Sequence, residues 1–190
     1  MKRHFFSLLI LLLSFASVRA EEFMFKHIEV KDGLPNNSIT AIIKDSKGFT
    51  WIGTASGLTR YDGHNFHVFR NQKNDTLSIP DNYVDFIIED KDENLWMRAG
   101  GEFVLYDLQM ERFVRHPNSY YKKAGVPDKP HYVYVDSEGD YWFYQNWNGC
   151  YYYHRKSGEA QNLMVAEDAL PGSALRGMTE HGDEMILLFD

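Results

Sequence analysis

The chain has 190 residues, with 27 acidic and 20 basic side chains and a formal net charge of −7. This acidic balance argues against nucleic acid or an anionic membrane surface as the partner of the chain. Because Cys150 is the single cysteine, no internal disulfide can form. We interpret Cys150 as a small buried residue on a strand, the alternative being a functional or intermolecularly bonded thiol.

Residues 1–20 have the pattern of a secretory signal peptide. Lys2 and Arg3 precede an apolar run, and Val18 and Ala20 supply small residues at the −3 and −1 positions of a cleavage site. The alternative, an uncleaved membrane anchor, is less favoured because the run is short for a bilayer. The sequence therefore predicts an exported protein.

After a lead-in over residues 21–37, one pattern of aspartate, tryptophan and tyrosine recurs three times. In every copy the tryptophan follows the aspartate by six residues, and the tyrosine follows the tryptophan by ten. Successive tryptophans are 45 and 46 residues apart. The repeat anchors are Asp45, Trp51 and Tyr61, then Asp90, Trp96 and Tyr106, then Asp136, Trp142 and Tyr152.

Each copy contains four short runs with strand character, separated by turn residues. In the first copy these are SITAIIKD, FTWIGT, LTRYD and NFHVFR, and the first run reads as a strand buried on both faces. Four antiparallel strands with a period of roughly 40–50 residues are typical of a β-propeller blade. The sequence therefore predicts an all-β fold, a β-propeller of four-stranded antiparallel blades.

The repeat also predicts how the chain is divided. Residues 21–37 would form an N-terminal strand that could close a ring, and the Pro-containing stretch PNSYYKKAGVPDKP would be a surface loop. The predicted blades span 38–81, 82–129 and 130–174, and 175–190 would begin a fourth. With about three and a half blades, we expect an incomplete fragment of a longer protein; a compact four-bladed propeller is the alternative.

The stretch DSKGFTWIGTASGLTRYDG, residues 45–63, and the lead-in SIPDN before the second copy resemble the two-component regulator propeller family. The resemblance implies the periplasmic sensor region of a hybrid two-component histidine kinase in the inner membrane. It further implies additional blades, a second propeller and a homodimer in the full-length protein. Many members respond to oligosaccharides released from complex glycans, so an oligosaccharide is the expected ligand, with no cofactor and no enzymatic activity in this chain.

One of the four tryptophans lies outside the repeat. Trp147, in the polar stretch YQNWNG, is predicted to contact the ligand together with Tyr144, Asn146 and Arg98; packing at the surface is the alternative. The tryptophans of the repeat are interpreted as packing residues. The sequence shows no catalytic triad, phosphate loop or metal site. A secreted propeller lyase or glycosidase, or a propeller that docks another protein, remains an alternative function.

Overall fold

The computed structural model describes residues 25–146, 148–164, 175–182 and 184–189. Its strands form three four-stranded sheets and one two-stranded sheet, and in each the antiparallel strands pair in chain order. This architecture confirms the predicted all-β fold of four-stranded antiparallel blades. No helix among the described residues is long and apolar enough to cross a membrane.

The four sheets follow one another along the chain. The first sheet contains β1 (Ile39–Lys44), β2 (Thr50–Thr54), β3 (Gly57–Tyr61) and β4 (Phe66–Phe69). The second contains β5 (Val84–Glu89), β6 (Asn94–Ala99), β7 (Glu102–Asp107) and β8 (Arg112–Val114). The third contains β9 (Tyr132–Val135), β10 (Tyr141–Gln145), β11 (Gly149–Tyr153) and β12 (Ala160–Met164), and the fourth β13 (Leu175–His181) and β14 (Glu184–Phe189). First strands of successive sheets contact each other, as neighbouring blades of a propeller do.

The aspartate of each repeat holds the turn between the first two strands of its sheet. The Asp45 carboxylate accepts a hydrogen bond from the backbone N–H of Phe49 (2.8 Å) and another from the indole Nε1–H of Trp51 (2.8 Å). The indole bond recurs from Trp96 to Asp90 (3.0 Å) and from Trp142 to Asp136 (2.7 Å). This bond explains the fixed spacing of six residues, since it links the turn to the returning strand.

The tryptophans lie between neighbouring sheets. Trp51 and Trp96 have no exposed surface, and Trp142 is partly buried. Trp51 packs in the cluster between the first and second sheets, Trp96 in the cluster between the second and third, and Trp142 in the cluster between the third and fourth. Large flat side chains thereby fill the space between sheets that face each other.

The third tyrosine of the repeat is not structurally equivalent to the first two. Tyr61 and Tyr106 pair with the residue before their tryptophan, whereas Tyr152 pairs with Trp142 itself. Tyr153 occupies the equivalent place, opposite Tyr141. The prediction of Tyr152 as the anchor is therefore wrong, because the turn between β10 and β11 is one residue longer and shifts the register of β11.

The beginning of the chain also differs from the prediction. Among the described residues, no strand precedes Ile39; a 3-10 turn at Val30–Asp32 takes its place. A strand there would have to pair with the edge of a sheet, and none of the four sheets includes described residues before Ile39. The first strand is not buried on both faces either, since Ile43 packs against the second sheet while Ile42 is 67% exposed.

The predicted surface loop before β9 contains a helix. Helix α1 (Asn118–Lys123) places Tyr121 in the cluster between the second and third sheets, followed there by Ala124 and Val126. The Tyr120 and Tyr121 rings contact the Trp96 ring, with centroids 5.1 and 6.4 Å apart. The connection between these two sheets is therefore partly buried and contributes to the core.

Candidate ligand site

The two ends of the sheets differ in the segments that they carry. The turns after the first and third strand of each sheet lie at one end, and the Ser46 hydroxyl and N–H donate there to Glu89 of the second sheet (2.6 and 2.8 Å). The opposite end carries the turn after the second strand of each sheet and the long connections 70–83 and 115–131. We call it the connection end. Arg98 and Asn146 both lie there.

Arg98 forms an ion pair with two hydrogen bonds at this end. Its Nε and Nη2 donate to the two carboxylate oxygens of Asp85, at 2.8 and 2.9 Å. The hydrogen bonds to Asp85 raise the pKa of Arg98 above its ordinary value. The two side chains remain 28% and 25% exposed, so this planar, charged pair is accessible from solvent while fixed in orientation.

Aromatic side chains surround the Arg98 pair. Tyr83, just before β5, is 46% exposed, and Tyr132 begins β9 of the third sheet. The phenol groups of Tyr83 and Tyr132 lie within electrostatic reach of the Arg98 guanidinium. The ring of Phe86 lies edge-on to that of Tyr132, with centroids 5.4 Å apart. Exposed aromatic faces beside planar hydrogen-bonding groups are suited to a sugar, which offers apolar ring faces and hydroxyl groups.

Asn146 lies in the turn between β10 and β11, and a histidine fixes its backbone. The Asn146 N–H donates to Nδ1 of His131 (3.1 Å), and the His131 N–H donates to the carbonyl of Tyr144 (2.7 Å). The turn closes with a bond from Asn148 N–H to the carbonyl of Gln145 (3.1 Å). Asn146 is partly exposed, which agrees with a role at the surface. Trp147, the central residue of the predicted site, lies outside the described residues.

Tyr144 does not reach a ligand site. Its side chain is 2% exposed and its ring packs edge-on against Phe189 of the fourth sheet, with centroids 5.7 Å apart. Successive side chains of a strand point to opposite faces, and β10 directs Tyr144 between the third and fourth sheets. The prediction of Tyr144 as a ligand contact is therefore wrong.

The sequence did not point to the cleft formed by connection 115–131. This cleft lies beside α1 and is lined by His116, Asn118, Tyr121, Lys122, Val126 and Pro127, with Asp128 and Lys129 at its rim. The Lys129 ammonium donates to Glu102 (2.6 Å), and this hydrogen bond lowers the pKa of the Glu102 carboxyl. The only available sequence signal was a pair of tyrosines and a pair of lysines between prolines.

Cys150 is buried among the side chains between the third and fourth sheets. Burial raises the pKa of its thiol to about 12, so the thiol is neutral at physiological pH and is a weak nucleophile. This environment agrees with the interpretation of Cys150 as a packing residue on a strand.

A known protein family matches the segment that runs from the end of the lead-in to the second strand. Residues 33–56 match the family model described as two component regulator propeller. A histidine kinase of Formosa agariphila, Histidine kinase P4, is 36% identical over 74 residues, which are 37% of this chain and 5% of the relative. The chain thus spans only a small part of that protein.

Solved structures share the fold. The extracellular domain of a hybrid two component system of B. thetaiotaomicron matches with a TM-score of 0.65 and 19% identity, over 85% of this chain and 23% of that one. The virginiamycin B lyase of Staphylococcus aureus matches with a TM-score of 0.53 and 15% identity, over 82% of this chain and 50% of the lyase. At these identities the likeness establishes the fold alone.

Proposed function

Because this chain carries a two component regulator propeller repeat at residues 33–56, we propose that it forms part of the periplasmic sensor region of a membrane-bound histidine kinase. Its ligand is an oligosaccharide derived from a glycan. The signal that the ligand has bound is passed across the membrane through further blades, a second propeller and a homodimer of the full-length protein. The similarity to a histidine kinase supports this proposal, as does the likeness to an extracellular domain of a two component system.

The observation that carries the choice of ligand is the Arg98 pair with its aromatic neighbours. Asp85 holds the guanidinium of Arg98 with two hydrogen bonds, so little conformational entropy is lost when a sugar hydroxyl bonds to the pair. The exposed part of Tyr83 offers an apolar surface for a sugar ring. The enzyme alternative has less support, because the lyase match extends only to the fold.

Calorimetric titration of the intact protein with oligosaccharides from digested glycans tests this proposal. Arg98→Ala should weaken binding by about tenfold or more, as loss of a central contact does. Arg60→Ala is the matched control, because Arg60 forms a similar ion pair with Glu111 (2.8 Å) at the opposite end of the sheets.

Three results would contradict the proposal. If no oligosaccharide binds, the ligand class is wrong. If Arg98→Ala and Arg60→Ala reduce affinity equally, the effect comes from general destabilisation and the Arg98 pair is not the site. If the protein cleaves the added glycan, the lyase or glycosidase alternative replaces the sensor.

A further inference from the structure

The connection 115–131 has the opposite charge to the rest of the chain. It carries four cationic side chains, Arg115, Lys122, Lys123 and Lys129, against the single carboxylate of Asp128, together with His116 and His131. The corresponding connection 70–83 is balanced, with Arg70 and Lys73 against Asp75 and Asp81. In a chain with a net charge of −7, such a local excess of positive charge attracts an anionic group to one place on the surface.

The cleft beside α1 gives this charge a shape that suits a small ligand. Its volume is about 440 Å³, within the range of roughly 300–1,000 Å³ that ligand sites occupy. Tyr121, which is only 6% exposed, forms part of its wall, and Val126 and Pro127 add apolar surface. Asn118 and His116 contribute polar groups. Apolar walls with a few polar groups match a saccharide of one or two rings better than a large polymer.

The positive charges in and beside this cleft are not all neutralised. Lys129 is paired with Glu102. Arg115 donates to backbone carbonyls and to the Ser78 hydroxyl, and its guanidinium forms no ion pair with another described residue. Lys122 is exposed and forms no ion pair with another described residue. The Lys123 ammonium lies over the Tyr120 ring, 5.8 Å from its centroid. Two lysines and one arginine therefore keep an excess of charge at this connection.

We infer that the cleft of connection 115–131 binds the anionic group, a carboxylate or a sulfate, of an acidic saccharide. Lys122, which lines the cleft, pairs with the anion, and the neighbouring Lys123 adds positive charge beside it. The sugar ring lies against Pro127 and the edge of Tyr121. This inference rests on the proposed function for its saccharide and adds the chemical class of that ligand and a second contact region. Ammonium groups recognise carboxylate and sulfate alike through charge-assisted hydrogen bonds.

An array of uronate-bearing, sulfated and neutral oligosaccharides, probed with the intact protein, tests the inference. Binding should be confined to the anionic members, and comparison of uronate with sulfate members identifies the group. The double variant Lys122→Gln/Lys123→Gln should bind about tenfold more weakly, as expected when charge-assisted hydrogen bonds are lost. Lys73→Gln, a lysine of the other connection, is the matched control and should bind as the unmodified protein does. Added salt should weaken the binding.

Each other outcome overturns the inference in a recognisable way. Binding of neutral oligosaccharides alone overturns it and leaves the proposed function standing, whereas binding of no member overturns both. If the double variant and Lys73→Gln change the affinity for anionic oligosaccharides equally, the site lies elsewhere. Equal binding of a single-stranded DNA oligonucleotide shows non-specific attraction of polyanions, which also overturns the inference.

Discussion

The interface between the first and second sheets and the interface between the second and third are built around equivalent tryptophans but are packed differently. Trp51 lies between Phe69 and Tyr106, with ring centroids 5.6 and 5.0 Å away, among mainly aliphatic side chains. The backbones approach closely here, since a Cβ at Gly53 would lie 2.5 Å from the Val84 carbonyl oxygen. This first interface is thus narrow and aliphatic.

The second interface is wider and aromatic. Trp96 contacts the rings of Tyr120 and Tyr121 from α1 and of Tyr141 and Phe143 from β10. The Tyr141 hydroxyl also donates to the Asp90 carboxylate (3.0 Å), which already accepts the Trp96 indole. A single repeat can therefore support two kinds of interface. Connection 70–83 contributes the aliphatic Ile79 to the first, whereas connection 115–131 contributes the aromatic Tyr120 and Tyr121 to the second.

The largest expected effect comes from removing the tryptophan of the second interface. Trp96→Ala should destabilise the protein by about 3–5 kcal/mol, because it leaves a large cavity and removes one hydrogen bond from the buried Asp90 carboxylate. It should also release connection 115–131, since Tyr120 and Tyr121 pack against this ring. Chemical denaturation measures the first effect, and hydrogen exchange of residues 115–131 measures the second.

Trp51→Ala is the matched change in the first interface. It should lower the free energy of unfolding by a similar amount. Connection 70–83 should stay protected from hydrogen exchange, because Arg115 and Asn71 hold that connection by hydrogen bonds. If hydrogen exchange increases equally in the adjacent connection of both variants, the two interfaces do not differ in the way described.

An intermediate effect is expected from Arg115, which links the second sheet to the connection before it. Its guanidinium donates to the carbonyls of Asp75, Ser78 and Ile79 at 2.7, 2.8 and 3.2 Å. Arg115→Ala should destabilise the protein by roughly 1.5–3 kcal/mol, the range for hydrogen bonds to a charged group, and should raise hydrogen exchange in 70–83. Arg112→Ala is the control, because Arg112 is exposed and its side chain has no hydrogen bond among the described residues. Equal loss of stability in both variants would refute this role.

The sheets could be predicted from the sequence because the fixed spacing of aspartate and tryptophan has a local cause. Asp45 and Trp51 belong to one turn and the strand that follows it, so their hydrogen bond appears as a fixed distance along the chain. Tyr153, by contrast, takes the place assigned to Tyr152 because the length of a distant turn sets the register of β11. The turn after the first strand does not require glycine, since Glu93 adopts a φ of 61° at the position that Gly48 and Gly139 occupy in the other two copies.

The ligand site was harder to predict than the sheets. Arg98 is oriented by Asp85, which lies thirteen residues earlier and on another strand. No regular spacing in the sequence predicts such a pair. Tyr144 was misassigned although the alternation of β10 places it on the face of Trp142, which packs between sheets. Helix α1 has only six residues, too few to show the 3.6-residue periodicity by which helices are recognised.

The smallest expected effect concerns alkaline pH and again separates the two interfaces. Burial raises the pKa of Tyr120 to about 12, with a further contribution from the carboxylates of Asp90 and Asp92. Burial also raises the pKa of its neighbours Tyr121 and Tyr141. A pKa that is higher in the folded than in the unfolded protein stabilises the fold fully below the unfolded value of 10.0, and this stabilisation is lost as the pH rises through about 12.

Unfolding at alkaline pH should therefore begin at the second interface, where three such tyrosines pack in one cluster. Tyr120→Phe removes one ionisable group from this interface and should reduce the loss of thermal stability between pH 10 and about 12. The effect should be modest, because Tyr120 is only half buried. Tyr61→Phe, a tyrosine of the first sheet that lies outside the second interface, is the control. Thermal unfolding over this pH range, with tyrosinate absorbance followed in parallel, measures the difference. Equal protection by both substitutions would show that alkaline stability does not depend on the second interface.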